Sequence, residues 1–111
     1  MAEHTQATVT DNPQALRLEA TVAGQTGYAE YVLGPGTITF THTRVPESLR
    51  GHGIGTQLIE AGLRLARERG LKVIPVCPFF RDYLRAHLSE QDLLSPQVRE
   101  RLLAQDPPGH G

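Results

Sequence analysis

The sequence predicts an α/β (α+β) domain in which an antiparallel meander runs into a βαβ unit and closes on helices. Three observations carry this prediction. Three runs between residues 16 and 43 alternate apolar and polar side chains and are divided by glycine turns, the pattern of half-buried strands. From Ile54 the period becomes helical until Gly70, and a short apolar run follows. Between the last alternating run and the helix lies Arg50-Gly51-His52-Gly53-Ile54-Gly55-Thr56, where bare glycine backbone admits close approach.

Residues 1–13 are polar and unpatterned and are expected to form a flexible lead-in. Leu16, Leu18, Ala20 and Val22 then share one strand face, with Arg17, Glu19 and Thr21 on the other. Ala23-Gly24-Gln25 makes a short turn into residues 26–33, the antiparallel partner. After Gly34-Pro35-Gly36, residues 37–43 alternate again and are rich in β-branched side chains. The helix carries Ile54, Leu58, Ala61 and Leu65 along one stripe, with Ile59, Leu63 and Ala66 beside it. Gln57, Glu60, Arg64 and Arg67 are expected to face water. Residues 71–77 form a second strand in which Pro75 removes one ladder donor. Strand, helix and strand joined this way run parallel through a right-handed crossover. Residues 79–87 read as a short helix. Ser95-Pro96 supplies an N-cap and first-turn proline for a last helix through about Ala104. The expectation is one domain over residues 14–105 and a disordered tail at 106–111.

A chain of 111 residues supports one hydrophobic core. A formal net charge of −1 leaves no broad basic footprint, so no nucleic acid is expected. No apolar run approaches the roughly 20 residues of a membrane span, and residues 1–6 lack a signal-peptide pattern. The single cysteine, Cys77, excludes an internal disulfide and fits a reducing compartment. The expected location is cytoplasmic.

The glycine turn predicts a phosphate-bearing ligand, because a helix N-terminus adds unpaired N–H groups and about half a positive charge. A dinucleotide fingerprint needs its third glycine where Thr56 stands, and a P-loop needs an absent Gly-Lys-Ser/Thr. What is left is Arg-x-x-Gly-x-Gly: Arg50, Gly53 and Gly55 opening a helix. One glycine suffices for a tight turn, and here three alternate.

These residues resemble the GNAT acyl-CoA N-acetyltransferase superfamily. The chain is most similar to its minimal members, which carry a cysteine at the end of the second splayed strand. Three motifs in order carry the resemblance, between about Leu16 and Leu94: His42-Thr43-Arg44-Val45-Pro46, the glycine turn, and Ile74-Pro75-Val76-Cys77-Pro78-Phe79. Two positions depart from the pattern. Arg44 stands where similar sequences are often acidic, and the short helix closes on His87-Leu88 where they carry His-Pro.

The resemblance implies a GNAT-like fold with splayed parallel strands and acetyl-CoA, or CoA, as co-substrate. It implies that the backbone of Thr43, Arg44 and Val45 pairs with the pantetheine amides. Arg50, Gly51, His52, Gly53, Ile54, Gly55 and Thr56 would hold the pyrophosphate. The activity implied is acetyl transfer to a primary amine, such as a protein lysine or N-terminal amine. That chemistry needs a neutral amine, a donor for the carbonyl oxygen and a proton for the thiolate. A free N–H near Val76 or Cys77 is expected to polarise the carbonyl. Tyr83 takes the place of a tyrosine that protonates the thiolate; a packed ring with an exposed hydroxyl is the competing reading. Cys77 is open to two roles, a nucleophile that forms an acetyl-cysteine or a wall of the pocket, with direct attack by the amine as the expected path. His42, His52 and Cys77 lack the paired spacing of a structural zinc site, so no metal is expected. Arg81 and Arg85 fit phosphate contacts and a solvated helix face equally, and Glu30 and Glu47 are surface carboxylates by default. A non-catalytic CoA-binding module or sensor is the alternative function, since few residues precede the meander to wall an acceptor pocket.

Overall fold

A computed structural model of the protein describes residues 5–104. Among them, five strands form one sheet in chain order: β1 (Thr8–Asn12), β2 (Arg17–Val22), β3 (Gln25–Gly34), β4 (Thr37–Arg44) and β5 (Lys72–Pro75). The first four are antiparallel, whereas β4 and β5 run parallel on either side of α1 (Ile54–Glu68). α2 (Pro78–Ala86) and α3 (Pro96–Ala104) follow, and short 3-10 turns occupy Glu47–Leu49 and Leu88–Leu93. The fold class expected from the sequence is the one observed. Residues 106–111, expected to be a disordered tail, lie outside the described residues.

The strand period builds a two-sided sheet. Leu18, Ala20, Ala29, Tyr31, Ile38, Phe40 and Val73 are buried, while Glu19, Tyr28, Glu30, Thr39 and Ile74 between them are only half-buried. α1 packs across the buried face and touches all five strands. Its inward residues are Ile54, Leu58, Ile59, Gly62, Leu63 and Ala66. The helix ends as its sequence asks. Gly70 takes the left-handed φ of 66°, and the N–H groups of Gly70 and Leu71 return to the carbonyls of Arg67 and Ala66. Ser95 caps α3, its Oγ accepting from the Val98 N–H at 3.3 Å.

One aromatic contact sets the helix positions. The Phe40 and Phe80 rings stack 4.0 Å apart at 7°, and both press against the backbone of Gly62. A Cβ at Gly62 would lie 2.8 Å from Phe40 Cζ and 3.2 Å from Phe80 Cε2. Glycine inside a helix costs about 1 kcal/mol relative to alanine. Here its missing side chain is the space the rings fill.

The structure corrects three expectations. Residues 5–12 are tied down rather than loose. Thr8–Asn12 pair with β2, and Ala7 N–H donates to Gln57 Oε1 at 3.0 Å. Gln57 is therefore buried, not solvated, because its amide also donates to the Thr5 carbonyl. Leu16 leaves the strand face: it sits in the turn before β2 with φ 53° and an exposed side chain. Polar β1 is held by side chains that its sequence does not advertise. Tyr31 Oη donates to Asp11 Oδ1 at 2.6 Å, and Arg69 Nη2 donates to Asp11 Oδ2 at 3.3 Å.

Gly62→Ala should lower unfolding stability by about 1–3 kcal/mol in denaturant titration, because the rings have no room to yield; an unchanged midpoint would refute the packing account. Burial and the Asp11 carboxylate raise the Tyr31 phenol to about 12, above its ordinary value near 10. A folded-state pKa raised this way stabilises fully below about pH 10 and is lost as pH climbs towards about 12. Alkaline titration should show stability falling across that window, more shallowly in Tyr31→Phe.

Candidate functional site

The site begins with a defect in the sheet. Glu30 pairs with His42 but Tyr31 pairs with Phe40, so Thr41 is an extra residue on β4. A bulge of this kind bends its strand and resets the side-chain alternation. Phe40 and Thr43 both point inward in consequence, while His42 is exposed. Pairing between β4 and β5 stops at Phe40 and Pro75. Beyond that point the segment from His42 to Arg44 keeps its ladder to β3 but has none to β5.

A cleft of about 920 Å³ opens where the strands part, within the usual size of a small-molecule site. One wall is the end of β4: His42, Thr43, Arg44 and Val45. The second is the glycine turn with the first turn of α1, namely Arg50, Gly51, Gly53, Ile54, Gly55 and Thr56. Phe79, Asp82 and Tyr83 of α2 form the third, with Leu49 and Ile59 between.

The three glycines have different reasons. Gly51 and Gly53 adopt φ of 83° and 80°, the left-handed region that a side chain strains, so the turn itself requires them. Gly55 does not: it lies inside the helix, and a Cβ there would meet Val45 and Phe79 at an ordinary 3.8–3.9 Å. Its bare Cα faces the residues that line the cleft. No side chain caps α1, and its first turn carries no acidic residue. The N–H groups from Gly53 to Thr56 therefore have no intrahelical partner.

The catalytic candidates are placed unequally. Tyr83 lies on the cleft wall and donates from Oη to Glu60 Oε2 at 3.3 Å. Its ring stacks on His87 at 3.8 Å. Burial, then the charge of and hydrogen bond to Glu60, then the charge of Glu90, hold its phenol above the ordinary value. Cys77 is buried behind the lining and meets Thr43, its Sγ 3.3 Å from Thr43 Oγ1. His52 also faces away, its ring against Thr5 Oγ1 at 3.2 Å and its carbonyl accepting from Thr5 N–H. The other residues expected to bind cofactor, Thr43, Arg44, Val45, Arg50, Gly51, Gly53, Ile54, Gly55 and Thr56, all line the cleft.

The expected free N–H at the strand end is absent. Both Val76 and Cys77 donate to the Phe40 carbonyl, at 3.1 and 2.8 Å, because the chain turns sharply there into Pro78. The nearby unpaired donors belong to the first turn of α2, which no side chain caps. Phe79 and Asp82 were missing from the expected site. The available signal was that Phe79 precedes Asp82 by three residues and Tyr83 by four, the spacings that bring helical side chains together. Among the described residues, no group of three or more His, Cys, Asp or Glu could hold a metal ion. No helix among them is long and apolar enough to cross a membrane.

Comparison with known proteins agrees with this geometry. Residues 17–93 match the family model described as GCN5-related N-acetyl-transferase. The chain is also 37% identical over 73 residues to "Protein NATD1" of Xenopus tropicalis, covering 66% of this chain and 61% of that protein. The family match runs from β2 to the turn after α2 and so includes the parted strands, the glycine turn and all three cleft walls. The chain belongs to the GCN5-related N-acetyltransferase family.

Proposed function

We propose that the protein binds acetyl-CoA and transfers its acetyl group to a primary amine. The observation that carries this reading is Gly55, a glycine required by neither the backbone nor the packing. It lies at an uncapped helix N-terminus on the wall of the cleft. A bare Cα among unpaired N–H groups suits a pyrophosphate that must approach the backbone. Gly51, Gly53, Ile54 and Thr56 add to that cradle, and Arg44 and Arg50 bring positive charge to the same cleft. His52 would take part through its backbone alone, since its ring is engaged by Thr5.

The edge of β4 at Thr43 and Arg44, which has no ladder to β5, with Val45 just beyond it, suits the pantetheine amides, which would add to the sheet as a strand does. Acetyl-CoA supplies an activated acyl carbon. The chain must orient it, polarise its carbonyl and manage one proton. The uncapped N–H groups at the start of α2, beside Phe79, are the donors we assign to the carbonyl oxygen. Tyr83 is the proton-handling group at that end. Direct attack by the amine is favoured over a covalent step through Cys77, whose thiol is buried against the uncharged hydroxyl of Thr43 rather than against a cation or base that would activate it. The acceptor class we assign is an amine on a protein, a lysine or an N-terminus. A cytoplasmic location is part of the proposal, supported by the free Cys77.

Acetyl-CoA incubated with a panel of primary amines should release free thiol in proportion to acceptor. Tight CoA binding without acceptor-dependent thiol release would instead favour a binding module. In calorimetry, Gly55→Ala should weaken CoA binding at least about tenfold, or ~1.4 kcal/mol. The same variant should stabilise the fold by up to about 1 kcal/mol. Unchanged affinity would remove Gly55 from the site. Cys77→Ala should keep CoA affinity and the greater part of acetyl transfer; a loss of about 100-fold in rate at full affinity would reinstate the thiol as nucleophile.

A further inference from the structure

The cleft wall continues into a second, polar basin of about 380 Å³, and Tyr83 is the side chain that the two share. On the basin side stand Glu60, Arg64 and Arg67 of α1 and Glu90 of the turn after α2. These groups are not equivalent. Arg67 is bound to Glu90 at 3.0 Å and to Asp92 at 2.8 Å, so Glu90 already has a cationic partner. Glu60 instead accepts from the Tyr83 hydroxyl. On α2 itself, Asp82 pairs with Arg85, and just beyond its end His87 stacks on the Tyr83 ring with its Nδ1 at the Tyr83 carbonyl.

We propose that Glu60 is a positioning residue that turns Tyr83 into a proton acceptor for the attacking amine, an inference that rests on the acetyl-transfer reading. A phenol whose proton points at Glu60 offers its oxygen lone pairs elsewhere, including the cleft it lines. As the amine nitrogen bonds to the thioester carbon, one N–H proton passes to Tyr83 Oη. The phenol's own proton passes to Glu60 Oε2, and the sulfur departs with the electron pair of the broken C–S bond. Glu60 is exposed and returns its proton to water between turnovers. The surroundings of Tyr83 oppose the reverse role. Burial and the Glu60 and Glu90 charges disfavour a phenolate, so Tyr83 is a reluctant donor to a thiolate but loses nothing when it gains and passes a proton together. The fold thereby supplies the base that no acidic motif in the sequence announced.

The test is a two-by-two set of wild type, Glu60→Gln, Tyr83→Phe and the double variant, assayed with acetyl-CoA and a primary amine that wild type acetylates. CoA calorimetry on each checks the cofactor site independently. Glu60→Gln should cut kcat about 100-fold at unchanged CoA affinity and shift the rise of the pH–rate profile upward. The double variant should be no slower than Tyr83→Phe alone, because Glu60 acts only through Tyr83. Glu60→Asp should recover part of the rate. Overturning results are equally definite. If Tyr83 protonates the thiolate instead, Glu60→Gln would leave kcat unchanged or raise it, since removing a neighbouring charge makes the phenol a better acid. Independent, additive losses would also reject the relay. Absence of CoA binding or of any amine acetylation by wild type would sink the acetyl-transfer reading itself, and the relay with it.

Discussion

Phe40 holds two things at once, and the rest of the structure depends on both. Its ring stacks on Phe80 beneath the bare backbone of Gly62, which fixes α1 and α2 against the same face of the sheet. Its carbonyl receives the N–H groups of both Val76 and Cys77, which ends β5 there. One residue further on, the Thr41 bulge turns β4 away. Packing and backbone pairing thus stop at the same place, and the cleft opens immediately beyond. A sheet whose strands paired to their ends would have nothing to offer a ligand at this edge.

Around that opening the guanidinium groups of Arg44 and Arg50 are joined by partial positive charge from the backbone. Two left-handed glycines lead into a helix with no cap, so several N–H groups converge without side-chain competition. The opposite wall, on α2, is different in character: an exposed aromatic ring, a carboxylate and a phenol. On the proposed reading the glycine-turn wall would take the anion and the α2 wall would handle the proton, with apolar Val45, Ile54 and Phe79 in the same lining. That polarity is what a long ligand with a phosphorylated tail and a reactive head requires.

The N-terminal strand is tied to the domain by polar contacts. β1 is polar, and it is retained through Asp11, which receives Tyr31 Oη and Arg69. Gln57 and His52 bind the segment before it, near the start of α1. The same contacts turn His52 away from the cleft. At the other end, Arg67 and Lys72 hold the turn at Leu88–Leu93 through Asp92 and Glu90. That turn carries Glu90 to the basin behind Tyr83.

Local periodicity determined much of this protein by itself. β2 to β5, α1, α2 and α3 could be read because each buries a stripe that matches its own repeat. The glycine turn was legible because glycine density before a helix has few other physical uses. What the sequence could not disclose were features made by distant partners. The bulge at Thr41 leaves no mark in an alternating run, yet it decides that Thr43 faces inward and His42 outward. Gln57 looked solvated because its partners lie some fifty residues earlier in the chain. The N–H groups of Val76 and Cys77 looked free until a carbonyl from β4 claimed both. Tyr83 could be picked out by type and place, but its pairing with Glu60 depends on how α2 lies against α1. The sequence determined which segments form and where a glycine turn opens a helix, because those follow from neighbours in the chain. Only the tertiary structure decided where the strands part and which hydrogen bonds remain available, because those are settled by contacts across it.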